Sequence, residues 1–176
     1  MLREKYPVDA VVNNVGSIMP QPLGEVDLDM LYQVFDLNVR AAVQVAQTFI
    51  PSMKARKEGR IINISSSAAH GAHSRTSYAA AKSALLGCTN TWALELAPYG
   101  ITVNAISPGA TETALFRQNC PERSEDEARL LNSIPMGRFA QTEEIAAAVA
   151  FFLSDAAGYI TGQELVIDGG SSLAGN

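Results

Sequence analysis

The 176-residue chain has few of the features that mark several large classes of protein. Its only two cysteines, Cys88 and Cys120, exclude a disulfide framework and indicate free thiols in a reducing compartment. No apolar run approaches the roughly 18 residues that a membrane-spanning helix requires. Basic residues form no stripe, and the net charge of −5 argues against nucleic acid or an anionic membrane as a partner. We therefore expect a cytoplasmic protein.

The residues that are present predict one α/β domain with a parallel sheet. Hydrophobic residues make up 47% of the chain, which is enough for a substantial core. Buried strands are predicted at 8–13, 60–65, 101–107 and 165–167, and they alternate with helices at about 28–51 (capped by Asp27), 76–97 and from Thr142, which we expect as the cap. Residues 108–133 are irregular and charged, which favours a mobile, partly helical flap. The loops at the carboxyl ends of the strands should carry the site.

The spacing of Tyr78 and Lys82 is the most informative pattern in the chain. In a helix, residues four apart share a face, so the two side chains are neighbours. A nearby ammonium favours the phenolate and lowers the pKa of tyrosine from its ordinary value near 10, which suits proton transfer to or from a carbonyl oxygen. This spacing arises by chance about one time in ten, so it is weak by itself.

Two further polar features accompany this pair. Ser65, Ser66 and Ser67 directly follow a predicted strand, where a hydroxyl could hold a substrate oxygen, although serines are also common in turns. Asn38 interrupts an apolar helix face. It indicates either a local distortion that frees a carbonyl to bind a water molecule, or a satisfied buried amide. The residues alone favour the amide and do not choose among the three serines.

Two histidines, His70 and His73, could suggest a metal pair. No third ligand lies at a suitable spacing, so a polar loop is the favoured interpretation and no metal is expected.

Several short segments, in order, resemble the short-chain dehydrogenase/reductase family, of the 3-oxoacyl-carrier-protein-reductase-like kind. The resemblance implies a Rossmann-type doubly wound sheet and an NAD- or NADP-dependent oxidoreductase acting on a carbonyl or secondary alcohol. It also implies a small-molecule substrate and a homotetramer or dimer, with the helices at 28–50 and 76–97 packed across the interface. The matching segments are Asn13 to Gly16, Leu37 to Val39, Arg60 to Ser66, Tyr78 to Lys82, Gly100 to Gly109, Gly137 to Phe139, Ile160 to Gln163 and Asp168 to Gly170.

The resemblance also assigns a role to individual residues. Tyr78 would be the general acid in reduction and the base in oxidation, and Lys82 would lower its pKa and hold the nicotinamide ribose. Ser66, rather than Ser65, would be the catalytic serine, and Asn38 would act through a water molecule leading to Lys82. The cofactor-binding residues would be Asn14, Gly16, Tyr78, Lys82, Pro108, Gly109, Thr111 and Thr113.

A glycine-rich turn, which binds the cofactor pyrophosphate in this family, is not found before Asn13. We therefore expect residues 1–176 to form a truncated Rossmann-like catalytic domain of about four strands, with the first strands missing and a substrate flap at about 110–135. The alternative is a non-catalytic remnant that needs a missing N-terminal segment or a partner chain. A nucleotide-sugar epimerase, which can share the tyrosine and lysine, is disfavoured by Pro108-Gly109 and Asp168-Gly169-Gly170.

The chain alone is expected to bind nicotinamide cofactors poorly, because the amides that offset the pyrophosphate charge are absent from its sequence. Titration by cofactor fluorescence or calorimetry measures this affinity. A micromolar dissociation constant for a stable monomer would contradict the prediction.

Overall fold

The computed structural model describes residues 7–174, so the outermost residues of the predicted 1–176 domain lie outside the described part. Four strands alternate with helices along the chain. The strands are β1 (Ala10–Asn13), β2 (Gly59–Ile64), β3 (Ile101–Pro108) and β4 (Glu164–Ile167). The helices are α1 (Leu28–Phe35), a π-helical segment (Asp36–Arg40), α2 (Ala41–Arg56), α3 (Thr76–Leu96), α4 (Ala114–Asn119), α5 (Glu125–Asn132) and α6 (Thr142–Leu153).

The strands form one parallel sheet in the order β1-β2-β3-β4. Val12 pairs with Ile62, and Ile62 pairs with Asn104. At the far side, Ile106 pairs with Leu165. The predicted α/β class and the four-strand parallel sheet are confirmed. Since all strands run the same way, the loops that follow them meet at one edge.

The two faces of the sheet bury two separate apolar clusters, because successive side chains of a strand point to opposite faces. Ile61 packs in one cluster with Met53 of α2 and Leu96 of α3. Its neighbour Ile62 packs in the other cluster with Phe152 of α6. Helices therefore cover both faces, which is why β2 and β3 consist of nearly continuous buried residues.

A buried chain of amides crosses between the strands and α3. Asn13 and Asn63 are paired residues of β1 and β2, and Asn13 Nδ2 donates to Asn63 Oδ1 at 2.8 Å. Asn63 Nδ2 in turn donates to Thr89 Oγ1 at 2.8 Å, and this hydroxyl donates to the Leu85 carbonyl at 2.8 Å. The three polar side chains are satisfied by one another inside the core.

The first long helix begins as predicted and ends later than predicted. Asp27 is the cap, since its Oδ1 accepts from the amides of Asp29 at 2.8 Å and Met30 at 3.2 Å. Pro51 was expected to end the helix, but α2 continues through it to Arg56. The turn that follows is held by Met53, which is fully buried in the core.

The start of α6 also corrects the sequence-based assignment. Thr142 is the first residue of the helix, and the cap is Gln141, whose amide donates to Glu144 Oε2 at 2.8 Å. Helices α4 and α5 form within the segment expected to be a partly helical flap. Within residues 7–174, no helix combines the length and the apolarity needed to cross a bilayer.

Leu96→Ala is expected to lower the free energy of unfolding by about 2–5 kcal/mol, because the side chain is 1% exposed and its loss leaves a cavity. Leu23→Ala is the matched control, since it removes the same side chain at a position that is 81% exposed. Urea unfolding of both variants measures the difference. Equal losses in the two variants would contradict the assigned core.

Candidate active site

One cavity of about 700 Å³ opens at the carboxyl edge of the sheet. Its volume suits a cofactor fragment together with a small substrate. All but one of the residues predicted for the site line it, and the exception is Asn38. Those that line it are Asn14, Gly16, Ser66, Tyr78, Lys82, Pro108, Gly109, Thr111 and Thr113.

Tyr78 lies in the first turn of α3 and is half-buried. Burial raises the pKa of its phenol above the ordinary value, and this outweighs the lowering by the Ser66 hydroxyl and by the positive charge of Arg75. The sequence predicted a pKa lowered by Lys82. In this structure the net direction is upward, and the nearby cation that lowers the pKa is Arg75.

Lys82 is buried, with 3% of its surface exposed. Its Nζ donates to the Ile64 carbonyl at 2.8 Å and lies 5.6 Å from the centre of the Tyr78 ring. Burial lowers the pKa of this amine to about 8, because the interior disfavours the charged form. The lysine therefore stands beside the tyrosine as the helical spacing predicted, with a proton that it can give up near neutral pH.

The structure separates the serines that the sequence left open. Ser65 is buried, and its Oγ donates to the backbone carbonyl of Lys82 at 2.9 Å, which fastens α3 to the end of β2. Ser66 instead lies beside Tyr78, and its Oγ accepts from the Ala68 amide at 3.2 Å. Ser67 lines the cavity and begins a short 3-10 turn. Of the three serines, Ser66 is the one whose hydroxyl lowers the pKa of Tyr78.

Asn38 lies in the π-helical segment, where the amide of Ala41 bonds to the carbonyl of Asp36 five residues earlier. The predicted local distortion is therefore present. The Nδ2 of Asn38 donates to the carbonyls of Val34 at 2.8 Å and Ser17 at 3.0 Å. Its Oδ1 is buried and accepts no hydrogen bond from the described residues. The nitrogen of the Asn38 side chain therefore has partners, while its oxygen has none among the described residues. The structure combines the local distortion with a partly satisfied amide, whereas the sequence offered the two as alternatives.

Gly16 separates Asn38 from the cavity. A Cβ at this position would lie 2.5 Å from Asn38 Oδ1 and 3.2 Å from Lys82 Nζ, so only glycine fits without moving them. Gly16 thereby brings the backbone of the loop after β1 close to both polar groups. Although Asn38 does not line the cavity, it belongs to the same cluster.

The opposite wall follows β3. Gly109 donates its amide to the Ile167 carbonyl at 2.8 Å, and a Cβ there would lie 2.7 Å from the Asp168 side chain. Thr111 Oγ1 donates to the Gly109 carbonyl at 3.1 Å. Thr113 Oγ1 accepts from the Phe116 amide at 3.0 Å and caps α4. The two threonines therefore shape this wall.

Sequence reasoning missed several residues of the cavity. Arg75 lies three positions before Tyr78, one helical turn away, which was a usable signal once Tyr78 had been singled out. Four residues of α6 also line the cavity, although the sequence places them far from the other site residues. They are Thr142, Ile145, Ala146 and Val149.

The two histidines have separate partners. His70 Nε2 lies 2.8 Å from Glu164 Oε1, and His73 Nδ1 lies 3.0 Å from Ser74 Oγ. Within the part of the chain that is described, no group of three or more potential metal ligands is found.

A hydroxyl, a phenol and an amine that meet at the carboxyl edge of a parallel sheet can exchange a proton with a bound substrate. Comparison with known proteins agrees. The family model described as Enoyl-(Acyl carrier protein) reductase matches residues 2–172. The 3-oxoacyl-[acyl-carrier-protein] reductase FabG of Thermotoga maritima is 38% identical over 169 residues, covering 95% of this chain and 68% of that protein.

Other relatives have related activities. The L-xylulose reductase of Mus musculus is 39% identical, covering 93% of this chain and 68% of that protein. A 4-hydroxyisoleucine dehydrogenase mutant, solved with NADH and succinate, superposes with a TM-score of 0.92 at 29% identity, covering 99% of this chain and 72% of that chain. A Burkholderia cenocepacia gluconate 5-dehydrogenase, solved with NADP and tartrate, superposes with a TM-score of 0.91 at 32% identity. The match covers 96% of this chain and 66% of that chain.

The chain belongs to the short-chain dehydrogenase/reductase family. It is therefore an NAD(P)-dependent oxidoreductase by its relatives.

Lys82→Met is expected to change how stability depends on pH. The pKa of Lys82 is about 8 in the folded chain and near 10.5 when unfolded, so between these values the unfolded state binds more protons and wild-type stability rises with pH. Below pH 8 the buried charge costs the wild type up to about 3 kcal/mol. The stability advantage of Lys82→Met over the wild type should therefore be largest at pH 7 and shrink towards pH 10.

Urea unfolding at several pH values measures this difference, and Lys54→Met serves as the control because Lys54 is only partly buried, with its Nζ 4.5 Å from the centre of the Tyr99 ring. A stability difference independent of pH would contradict the assignment.

Proposed function

We propose that this chain transfers a hydride between NAD(P)(H) and a carbonyl or secondary alcohol, with Tyr78 as the general acid and base. The observation that carries the proposal is the meeting of the Tyr78 phenol, the Ser66 hydroxyl and the Lys82 amine in one cavity. A proton donor and a second hydroxyl beside it can act on the same substrate oxygen.

The residues present fit a nicotinamide cofactor. Its chemistry, when it is bound, is to donate or accept the hydride. Gly16 leaves the loop after β1 free of a side chain where Lys82 and Asn38 approach it, so a cofactor could contact the backbone there. Lys82 supplies a donor for a ribose hydroxyl. The remaining residues that would hold the cofactor are Asn14, Pro108, Gly109, Thr111 and Thr113.

Two opposed effects on the pKa of Tyr78 suit this residue to proton transfer in both directions. In reduction the phenol must carry a proton to give, and burial, by raising its pKa, keeps it protonated at neutral pH. In oxidation the same group must accept a proton, and Ser66 and Arg75 favour the phenolate by lowering the pKa. The Ser66 hydroxyl would hold the substrate oxygen beside the phenol.

Asn38 would support this chemistry by positioning Lys82. Its unpartnered Oδ1 and the Lys82 Nζ both lie close to Gly16. A water molecule received in this region could link the lysine to the freed backbone of the π-helical segment. Asn38 is accordingly a positioning residue in this proposal.

The segment at 110–135 would cover the substrate. Leu115, Phe116 and Leu130, which belong to its helices α4 and α5, line the cavity. Arg117 joins the two helices, since Nε donates to Glu112 Oε2 at 2.8 Å and Nη1 donates to Glu127. One guanidinium between two carboxylates therefore ties α5 to the start of this segment.

A homo-oligomer, a tetramer or dimer, is part of the proposal. Large apolar side chains lie exposed on the helices expected to pack between subunits, and a second copy could cover them. They include Leu28 and Tyr32 of α1, Val45 of α2 and Leu94 of α3, which are 40–81% exposed. The free thiols of Cys88 and Cys120 support a reducing compartment such as the cytoplasm.

A non-catalytic role that depends on a further segment or partner chain is the second candidate. Among the described strands, β1 pairs with β2 alone, and Val12 on this edge strand is 41% exposed. An apolar strand edge of this kind suits pairing with additional backbone.

Tyr78→Phe should separate the two candidates. Removing the hydroxyl deletes the proton donor and should lower kcat for reduction of small ketones with NADH or NADPH by about 10²–10⁴-fold. Tyr159→Phe is the matched control, because Tyr159 is fully exposed. Reduced-cofactor absorbance follows turnover, and circular dichroism checks that both variants fold. Undiminished turnover in Tyr78→Phe would refute the proposed role, and a wild-type chain without turnover would favour the second candidate.

A further inference from the structure

The cavity has an unusual balance of charge. Arg75 and Lys82 are its two charged lining residues, and no aspartate or glutamate is among the described residues that line it. Lys82 donates to the Ile64 carbonyl, and the proposed function assigns it to a ribose hydroxyl of the cofactor. Arg75 is therefore the cation that remains for the substrate.

Arg75 differs from Arg117 and Arg138 because it has no carboxylate partner among the described residues. Arg117 is paired with Glu112 and Glu127, and Arg138 is paired with Glu144. None of the ion pairs formed within residues 7–174 involves Arg75. Its Nη1 is buried and has no hydrogen-bond partner there. A guanidinium nitrogen that is removed from water without a partner is costly, and a bound anion would offset this cost.

The position of Arg75 on the chain also relates it to the reacting group. It directly precedes α3, and Tyr78 follows three residues later. Both side chains line the same cavity, and the Arg75 charge acts on the Tyr78 phenol. An anion held by Arg75 and a carbonyl held by Tyr78 could thus belong to the same small molecule.

We propose that Arg75 binds a carboxylate of the substrate, which makes short oxo acids and the corresponding hydroxy acids the substrate class. The planar guanidinium suits a carboxylate because it can donate two parallel hydrogen bonds. This inference rests on the proposed function, since it names the substrate of the same site.

Binding is tested without turnover by calorimetry with succinate, a redox-inert dicarboxylate, and with its uncharged counterpart succinamide. The wild type should prefer succinate. Arg75→Gln should weaken succinate binding about tenfold or more, and Arg75→Lys, which keeps the charge but not the fork, should weaken it less. Tyr78→Phe, which retains Arg75, should still prefer succinate. Equal affinity of the wild type and Arg75→Gln for succinate would overturn the inference.

Turnover is tested with acetoacetate and levulinate, each against its methyl ester. The ratio of kcat/KM for acid over ester should favour the acid and fall about tenfold or more in Arg75→Gln. Tyr78-dependent turnover that favours the esters would overturn the inference and leave the proposed function standing. Arg75-dependent succinate binding without turnover of any compound would support the inference and count against the proposed function.

Discussion

The burial of the Lys82 amine is the constraint on which the rest of the site depends. Its Nζ bonds to the carbonyl of Ile64, the last residue of β2, while Ser65 bonds to the lysine's own carbonyl. These two contacts fix the first turns of α3 against the end of the strand. Tyr78, Ser66 and Arg75 take their places from that attachment. Lys82 therefore attaches α3 to the end of β2, in addition to its proposed chemical role.

Low polarity around this attachment shifts the pKa values of the two titrating groups in opposite directions. Burial raises the pKa of the Tyr78 phenol and lowers that of the Lys82 amine to about 8, since it disfavours both charged forms. The Ser66 hydroxyl and the Arg75 charge lower the pKa of the phenol and so limit how far burial raises it. The environment of the pair, rather than its spacing alone, therefore sets its chemistry.

Local patterns in the sequence were sufficient for the strands, for the Asp27 cap and for most of the cavity wall, because each depends on neighbouring residues or on a shared sheet edge. Local patterns gave wrong predictions where contacts between residues distant in sequence determine the structure or the pKa. Helix α2 continues past Pro51 and buries Met53 in the core, and desolvation reverses the expected pKa direction of Tyr78. No carboxylate of residues 7–174 forms an ion pair with Arg75, which only the three-dimensional arrangement shows.

The amide chain from Asn13 through Asn63 to Thr89 has a consequence for how the strands choose their alignment during folding. Apolar parallel strands whose side chains are buried on both faces can pair in several offsets at similar cost. A slip of one residue between β1 and β2 would separate the amides and leave buried polar groups unpaired. The asparagines thereby favour one alignment of two strands that are distant in sequence.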